Sequence, residues 1–225
     1  MLLKRSLAEL IGTFFVVFGP VALSATGKLP GGDGSLLGSA LISGLAVLAM
    51  IAAFGGISAA HFNPAVTIAF AVARRFPAGW ILPYIAAQVI GAILAAGAVF
   101  IMFGPGFGVH IPAEPALFGR NFLAEGLISF FLMLVIMAVA TEKGVDGALP
   151  ALAIGFVVVA GVLLAGPVTG GSMNPARSLG PALFAGGEAL ANIALYLSAP
   201  IVGAVLAALT YEAIRFDRTG KNAPA

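Results

Sequence analysis

The stretch Ala60-His61-Phe62-Asn63-Pro64-Ala65-Val66-Thr67 returns, 111 residues further on, as Ser172-Met173-Asn174-Pro175-Ala176-Arg177-Ser178, and the reading of these two copies decides the fold. In each copy the Asn is placed to cap a helix start and the Pro to take the first helical position, where its missing N–H and fixed φ cost nothing. Neither helix that follows is long. From Asn63 to Arg74, and from Asn174 to about Ala185, there are about a dozen residues, which at about 1.5 Å per residue is roughly half of a hydrocarbon core about 30 Å thick. The spacing predicts two half-helices.

The rest of the chain supplies the apolar surroundings that such half-helices need. Its 225 residues are 60% hydrophobic and 9% charged, and the mean hydropathy is +1.10, which excludes an ordinary soluble surface. The 30 glycines fit membrane helices, which use small residues to approach one another closely. A net charge of +2 with basic residues beside the apolar segments is no nucleic-acid footprint. With no cysteine there is no disulfide framework and no thiolate metal site, and no metal or cofactor is expected. Met1–Arg5 followed by an apolar run resembles a signal peptide, but the run continues to about Leu23 and carries Glu9. It reads as a retained first span.

Apolar segments predict six full spans near Ser6–Leu23, Leu37–Phe54, Pro83–Phe103, Phe122–Ala140, Leu149–Ala165 and Asn192–Ile214. Gly27–Ser35 and the Pro-punctuated Gly104–Arg120 read as loops, Thr141–Gly147 as a short charged hairpin, and the end of the chain as a brief polar tail. The second half repeats the first. Ala8-Glu9 with Thr13-Phe14-Phe15 returns as Ala124-Glu125 with Ser129-Phe130-Phe131, while Tyr84, Ala87, Gly91 and Ala92 return as Tyr196, Ala199, Gly203 and Ala204. Each repeat holds three full spans, an odd number, so the copies are inverted. The fold class is therefore an all-α integral membrane protein, one channel domain over 1–225 with inverted three-span repeats of about 1–115 and 116–225. Lys4, Arg5, Arg74, Arg75, Lys143, Arg215, Arg218 and Lys221 flank one side, against Lys28, Arg120 and Arg177 on the other, which predicts cytoplasmic termini.

Inverted repeats bring the half-helices in from opposite faces to meet N-terminus to N-terminus, so two positive dipole ends face one point. Ser58–Phe62 and Thr169–Met173 are expected to line a wet pore with some carbonyls exposed, since irregular backbone at that depth needs burial or water. The Asn63 and Asn174 amides add N–H donors there, which suits an uncharged solute carrying oxygen and disfavours cations. The same field opposes a proton chain. Arg177, in the first turn of the second half-helix, is an arginine at membrane depth and a functional candidate. Glu9 and Glu125 are read as anchors that accept N–H groups from the re-entrant loops rather than as proton relays. His61 is either a pore donor or a loop brace. His110 sits in a loop with no partner in view, and Phe14, Phe15, Phe130 and Phe131 are read as packing or lipid contacts.

These residues resemble the aquaporin, or major intrinsic protein, family over essentially the whole chain. The resemblance rests on Asn63-Pro64-Ala65, Asn174-Pro175-Ala176, the following Arg177, the paired Ala-Glu and the inverted repeat. It implies a right-handed six-span bundle in membrane lipid, a homotetramer with one pore per subunit, and passive passage of water or small neutral solutes. In the family's water-selective pattern the filter arginine faces an aromatic residue on the second span, a histidine on the fifth and a small residue on the second re-entrant loop. Those positions fall here on Ser43, Val162 and Gly171, so the filter is expected to be wider. Glycerol-conducting relatives usually carry Asp where this chain has Ser178. With Ala182, Tyr196 and Leu197, the pattern is similar to the nodulin-like plant branch and its bacterial relatives. That branch is associated with glycerol, urea and metalloid hydroxides such as arsenous, boric and silicic acid. The short tails favour a bacterial inner membrane.

Three functions compete. The first is a passive channel with a Ser43, Val162, Gly171 and Arg177 filter, its water-selective form being the nearer alternative. A proton- or ion-coupled secondary transporter also uses inverted repeats and broken helices, but needs a titratable or ion-binding cluster at the midplane, and apart from Glu9 and Glu125 the spans lack one. An enzyme has no support in Gly-x-Ser-x-Gly, a Walker loop or a metal-ligand cluster.

Overall fold

A computed structural model describes residues 1–141 and 147–215. Residues 142–146 and 216–225, which include most of the expected charged hairpin, the polar tail, Lys143, Arg218 and Lys221, lie outside the described residues. The six long helices are α1 (Leu2–Thr26), α2 (Leu36–Ser58), α4 (Ile81–Phe103), α5 (Phe118–Ala140), α6 (Leu149–Thr169) and α9 (Ile193–Ile214). All six are long and apolar enough to cross a membrane, α4 together with the single 3-10 turn Ala78–Trp80 that precedes it. Between them lie two short helices, α3 (Pro64–Val72) and α7 (Pro175–Ala185), with the one-turn α8 (Gly187–Ala191) after the second.

The caps explain the short helices. Asn63 and Asn174 have extended backbone, and each side-chain oxygen accepts the Ala N–H two residues on, with Pro in the first helical position. The nine and eleven residues that follow span about 14 and 17 Å, half a bilayer each. Four of the six long helices begin earlier than hydropathy alone indicates. α5 starts at Phe118 rather than Phe122, because Asn121 is buried and its amide donates to the Glu114 carbonyl at 2.9 Å, while Arg120 pairs with Glu114 at 2.9 Å. These polar anchors lie outside any apolar window.

In each half the first and third long helices pack so closely that only glycine fits. A Cβ on Gly91 of α4 would strike the Leu10 carbonyl of α1, and one on Gly203 of α9 would strike the Gly126 carbonyl of α5. The halves join where α2 meets α6, at Gly44 against Gly155. The short helices cross over, α3 packing on α9 and α7 on α4, so each half-helix is held partly by the opposite repeat. An even number of crossings returns Ile214 to the face where Leu2 begins. There Arg75 and Arg215 bind Glu212 at 2.7 and 2.6 Å, and Arg5 lies over the Trp80 ring at 5.3 Å. We call this the basic face.

Large apolar side chains such as Leu82, Ile101, Phe156 and Leu164 point outward on the long helices, while the interior carries an unusual set of buried polar groups. Polar groups inside a bundle with an oily outside are expected to face one another or a cavity rather than lipid.

Candidate functional site

The polar interior begins with the two carboxylates. Glu9 accepts four hydrogen bonds: from the Ser58 hydroxyl (2.7 Å) and His61 N–H (2.9 Å) on Oε1, and from Phe62 N–H (2.7 Å) and the Gln88 amide (2.8 Å) on Oε2. Glu125 accepts from the Thr169 hydroxyl (2.7 Å), Ser172 N–H (2.8 Å) and Met173 N–H (2.9 Å). Both are fully buried. Tyr84 and Tyr196 complete the pattern by donating to the Ser58 and Thr169 carbonyls at 2.9 and 2.6 Å. Each carboxylate thus takes up the N–H groups that a loop turning inside the bilayer leaves without a helix or water partner.

Anchored this way, the loops take a tight left-handed path. Ala59, Ala60 and Phe62 have φ of 66°, 52° and 49°, and the matching positions Gly170, Gly171 and Met173 have 88°, 65° and 57°. Where the second loop uses glycine, the first uses alanine, at a cost of about 1–2 kcal/mol per residue in the left-handed region. The two helix starts then meet. Asn63 Nδ2 donates to the Met173 carbonyl at 2.8 Å, and Asn174 Nδ2 to the Phe62 carbonyl at 2.9 Å, so each capping Asn closes the other loop. Each amide carries a second hydrogen, and both side chains line one cavity of about 230 Å³ that runs toward the basic face past Val47, Ile51 and Ile154.

Only some of the loop carbonyls stay free of protein donors. Those of Ser58, Phe62, Thr169, Gly171, Ser172 and Met173 are all occupied by protein donors. Ala59, Ala60, His61 and Phe62 line the cavity from the first loop, and the carbonyls of the first three have no donor among the described residues.

Arg177 is 6% exposed and stands where this cavity meets a second one of about 220 Å³ opening to the far face. Its Nη1 donates to the Gly171 and Ser172 carbonyls at 2.9 and 3.1 Å, and its Nη2 to the Ser43 hydroxyl at 2.9 Å, while its buried Nε has no partner among the described residues. Ser43 lines the first cavity and Val162 the second; Gly171 lines neither, but its carbonyl binds Arg177 and it packs against Val162 of α6. Among the described residues, no aromatic side chain lines the far-face cavity apart from the His110 imidazole.

His61 bonds the Thr67 hydroxyl through Nδ1 at 3.1 Å, packs on Phe70, Phe76 and Tyr84, and also borders the cavity. His110 corrects the sequence reading. It is buried, its Nδ1 lies 3.2 Å from the Ser178 hydroxyl, its ring packs on Tyr196 at 5.7 Å, and it lines the far-face cavity beside Arg177. The loop that carries it is tied down by Gly108 N–H to the Ser24 hydroxyl (3.0 Å) and Ala113 N–H to the Val168 carbonyl (3.0 Å). Nothing local in the sequence marks His110, because its partners come from helices more than sixty residues later. Gln88 was also missed, although a buried amide within an apolar span is a visible signal.

Six membrane-spanning helices around two half-helices that meet start to start, with two cavities that meet at Arg177 between them, define a multi-pass membrane channel. The chain belongs to the major intrinsic protein family, whose model matches residues 1–211. It is 45% identical over 216 residues to aquaporin NIP1-1 of Oryza sativa subsp. japonica, covering 95% of this chain and 75% of the relative. The putative aquaporin NIP4-1 of Arabidopsis thaliana is 42% identical over 219 residues, covering 96% and 76%. Among solved structures, the X-ray structure of the aquaglyceroporin from Plasmodium falciparum superposes with a TM-score of 0.86 at 25% identity, covering 95% of this chain and 97% of the other. The family is one of passive channels. Both sequence relatives are plant proteins, and neither favours the bacterial membrane expected from the short tails.

Proposed function

We propose that this channel passes water and small uncharged solutes, namely glycerol, urea and metalloid hydroxides such as arsenous, boric or silicic acid, and excludes protons and ions. Ser43, Val162, Gly171 and Arg177 form its selectivity filter, and Asn63 and Asn174, capping the Pro64-Ala65 and Pro175-Ala176 helix starts, form the central constriction. Glu9, Glu125 and His61 support the loops. The observation that carries this reading is the company of Arg177: a serine hydroxyl, a valine and two loop carbonyls, with neither an aromatic ring from α2 nor a histidine from α6. A filter lacking that bulk leaves room for solutes larger than water, and the fixed guanidinium favours oxygen acceptors over cations. The similarity to plant NIP aquaporins and to an aquaglyceroporin supports the same solute class. The working form is a homotetramer in a cell membrane with the basic face cytoplasmic, one channel domain divided near residue 115.

Stopped-flow light scattering on proteoliposomes tests it, comparing an osmotic step in an impermeant sugar with gradients of glycerol, urea and arsenous acid. Re-swelling with the solutes is expected, and the double variant Val162→His, Ser43→Phe should abolish it while water still passes. Solute flux no greater than in empty liposomes, or unchanged by the double variant, would refute the proposal.

A further inference from the structure

The small size of Ser43 explains only part of its role. Its hydroxyl hydrogen is committed to the Ser39 carbonyl one turn back at 2.7 Å, so toward the pore it offers lone pairs alone. That contact polarises the hydroxyl into a better acceptor. The acceptor faces Arg177 Nη2 at 2.9 Å, with Ser43 2% and Arg177 6% exposed. The platform beneath is rigid, because the adjacent Gly44 is pressed against Gly155 of α6 with no room for a Cβ. Arg177 is the side chain common to both cavities, so any swing of its guanidinium changes the width of the passage between them.

We propose that Ser43 is a positioning residue that holds the Arg177 guanidinium against the α2 wall, and that this hold, as much as the small side chain, keeps the filter open to solutes. The inference rests on the solute-conducting filter proposed above and assigns Ser43 a hydrogen-bonding task within it. Gly171 and Ser172 fix one end of the guanidinium through Nη1, and Ser43 fixes the other through Nη2. Without Ser43 the Nη2 end swings into the lumen in search of a partner, and a solute wider than water meets it first.

Width alone and the hold make opposite forecasts for Ser43→Ala. A wider opening would raise glycerol flux; a released arginine lowers it. Ser43→Thr and Ser43→Val, nearly identical in shape, isolate the hydroxyl from the width. Glycerol and water permeability of the four proteins would be measured in proteoliposomes at matched protein content. The glycerol-to-water ratio should fall about tenfold or more in Ser43→Ala, and fall by a similar factor from Ser43→Thr to Ser43→Val, the loss expected for one charge-assisted hydrogen bond. Ser43→Ala conducting glycerol at least as well as the wild type, or Thr and Val variants with equal ratios, would overturn the inference while leaving the proposed function standing. A wild type that passes water only would instead refute the proposed function. The Thr and Val variants are then compared on water permeability, where a difference keeps the hold and equality overturns it.

Discussion

The two halves of the molecule solve one problem with different parts. In the first, α3 takes its side-chain brace from a span: Gln88 of α4 donates to Glu9 and, at 3.0 Å, to the Thr67 hydroxyl, which His61 of the re-entrant loop bonds as well. In the second half the residue matching Gln88 is Pro200, which has no amide to give. Ser178, the counterpart of Thr67, is bonded instead by Ser172 and by His110, which arrives from the loop between α4 and α5. The half that carries Arg177 therefore takes its brace from a connecting loop, and the other half takes its brace from a helix. Loops open at lower free-energy cost than packed helices, so His110 is the more easily released of the two braces.

The largest effect should come from removing an anchor common to both halves. Glu9→Ala takes the acceptor from four buried donors, and Glu125→Ala from two backbone N–H groups, the Thr169 hydroxyl keeping the Ala165 carbonyl at 3.2 Å. At about 1–3 kcal/mol for each buried group left unsatisfied, both variants should lose several kcal/mol, read as a large drop in the thermal unfolding midpoint in detergent with permeability abolished. Equal tolerance of both substitutions would mean that the loops do not depend on these carboxylates.

Next in size is the pair of braces, and here the halves should separate. Gln88→Leu removes donors to Glu9 and Thr67 inside a span and should cost about 2–4 kcal/mol of stability, with the solute-to-water ratio little changed in whatever protein remains folded. His110→Ala should cost less, about 1 kcal/mol, yet alter that ratio severalfold, because its partner Ser178 follows Arg177 directly. Unfolding curves and liposome permeabilities measured on the same preparations decide it, and a reversed pattern breaks the comparison.

The smallest effect concerns backbone at matched loop positions. Ala59→Gly should be neutral or stabilising by up to about 1 kcal/mol, since φ of 66° penalises a Cβ. Gly170→Ala should destabilise by about 1–2 kcal/mol and disturb permeability too, because at φ of 88° its Cβ would come within 2.9 Å of the His110 ring. A Gly170→Ala channel with unchanged stability and flux would detach His110 from the loop it braces.

Much of this was legible in the chain itself, because the bilayer restricts what a sequence can mean. A backbone in hydrocarbon must satisfy its own hydrogen bonds, so apolar length reads directly as spans, and Asn-Pro-Ala reads as a helix start wherever it occurs. The repetition of Glu, Tyr and Gly between Glu9–Gly91 and Glu125–Gly203 dictated the inverted pairing, since such residues in apolar helices have few other reasons to recur. Left to the tertiary structure were the contacts between elements far apart in sequence. That Ser43 accepts from Arg177, that His110 reaches Ser178, and that each capping Asn closes the opposite loop depend on how helices from different halves dock, across separations of 134, 68 and more than 100 residues. A hydroxyl, an imidazole or an amide is directional within a few tenths of an ångström. Hydropathy and local spacing set which helices form, whereas only their packing sets which of these short polar groups come within reach.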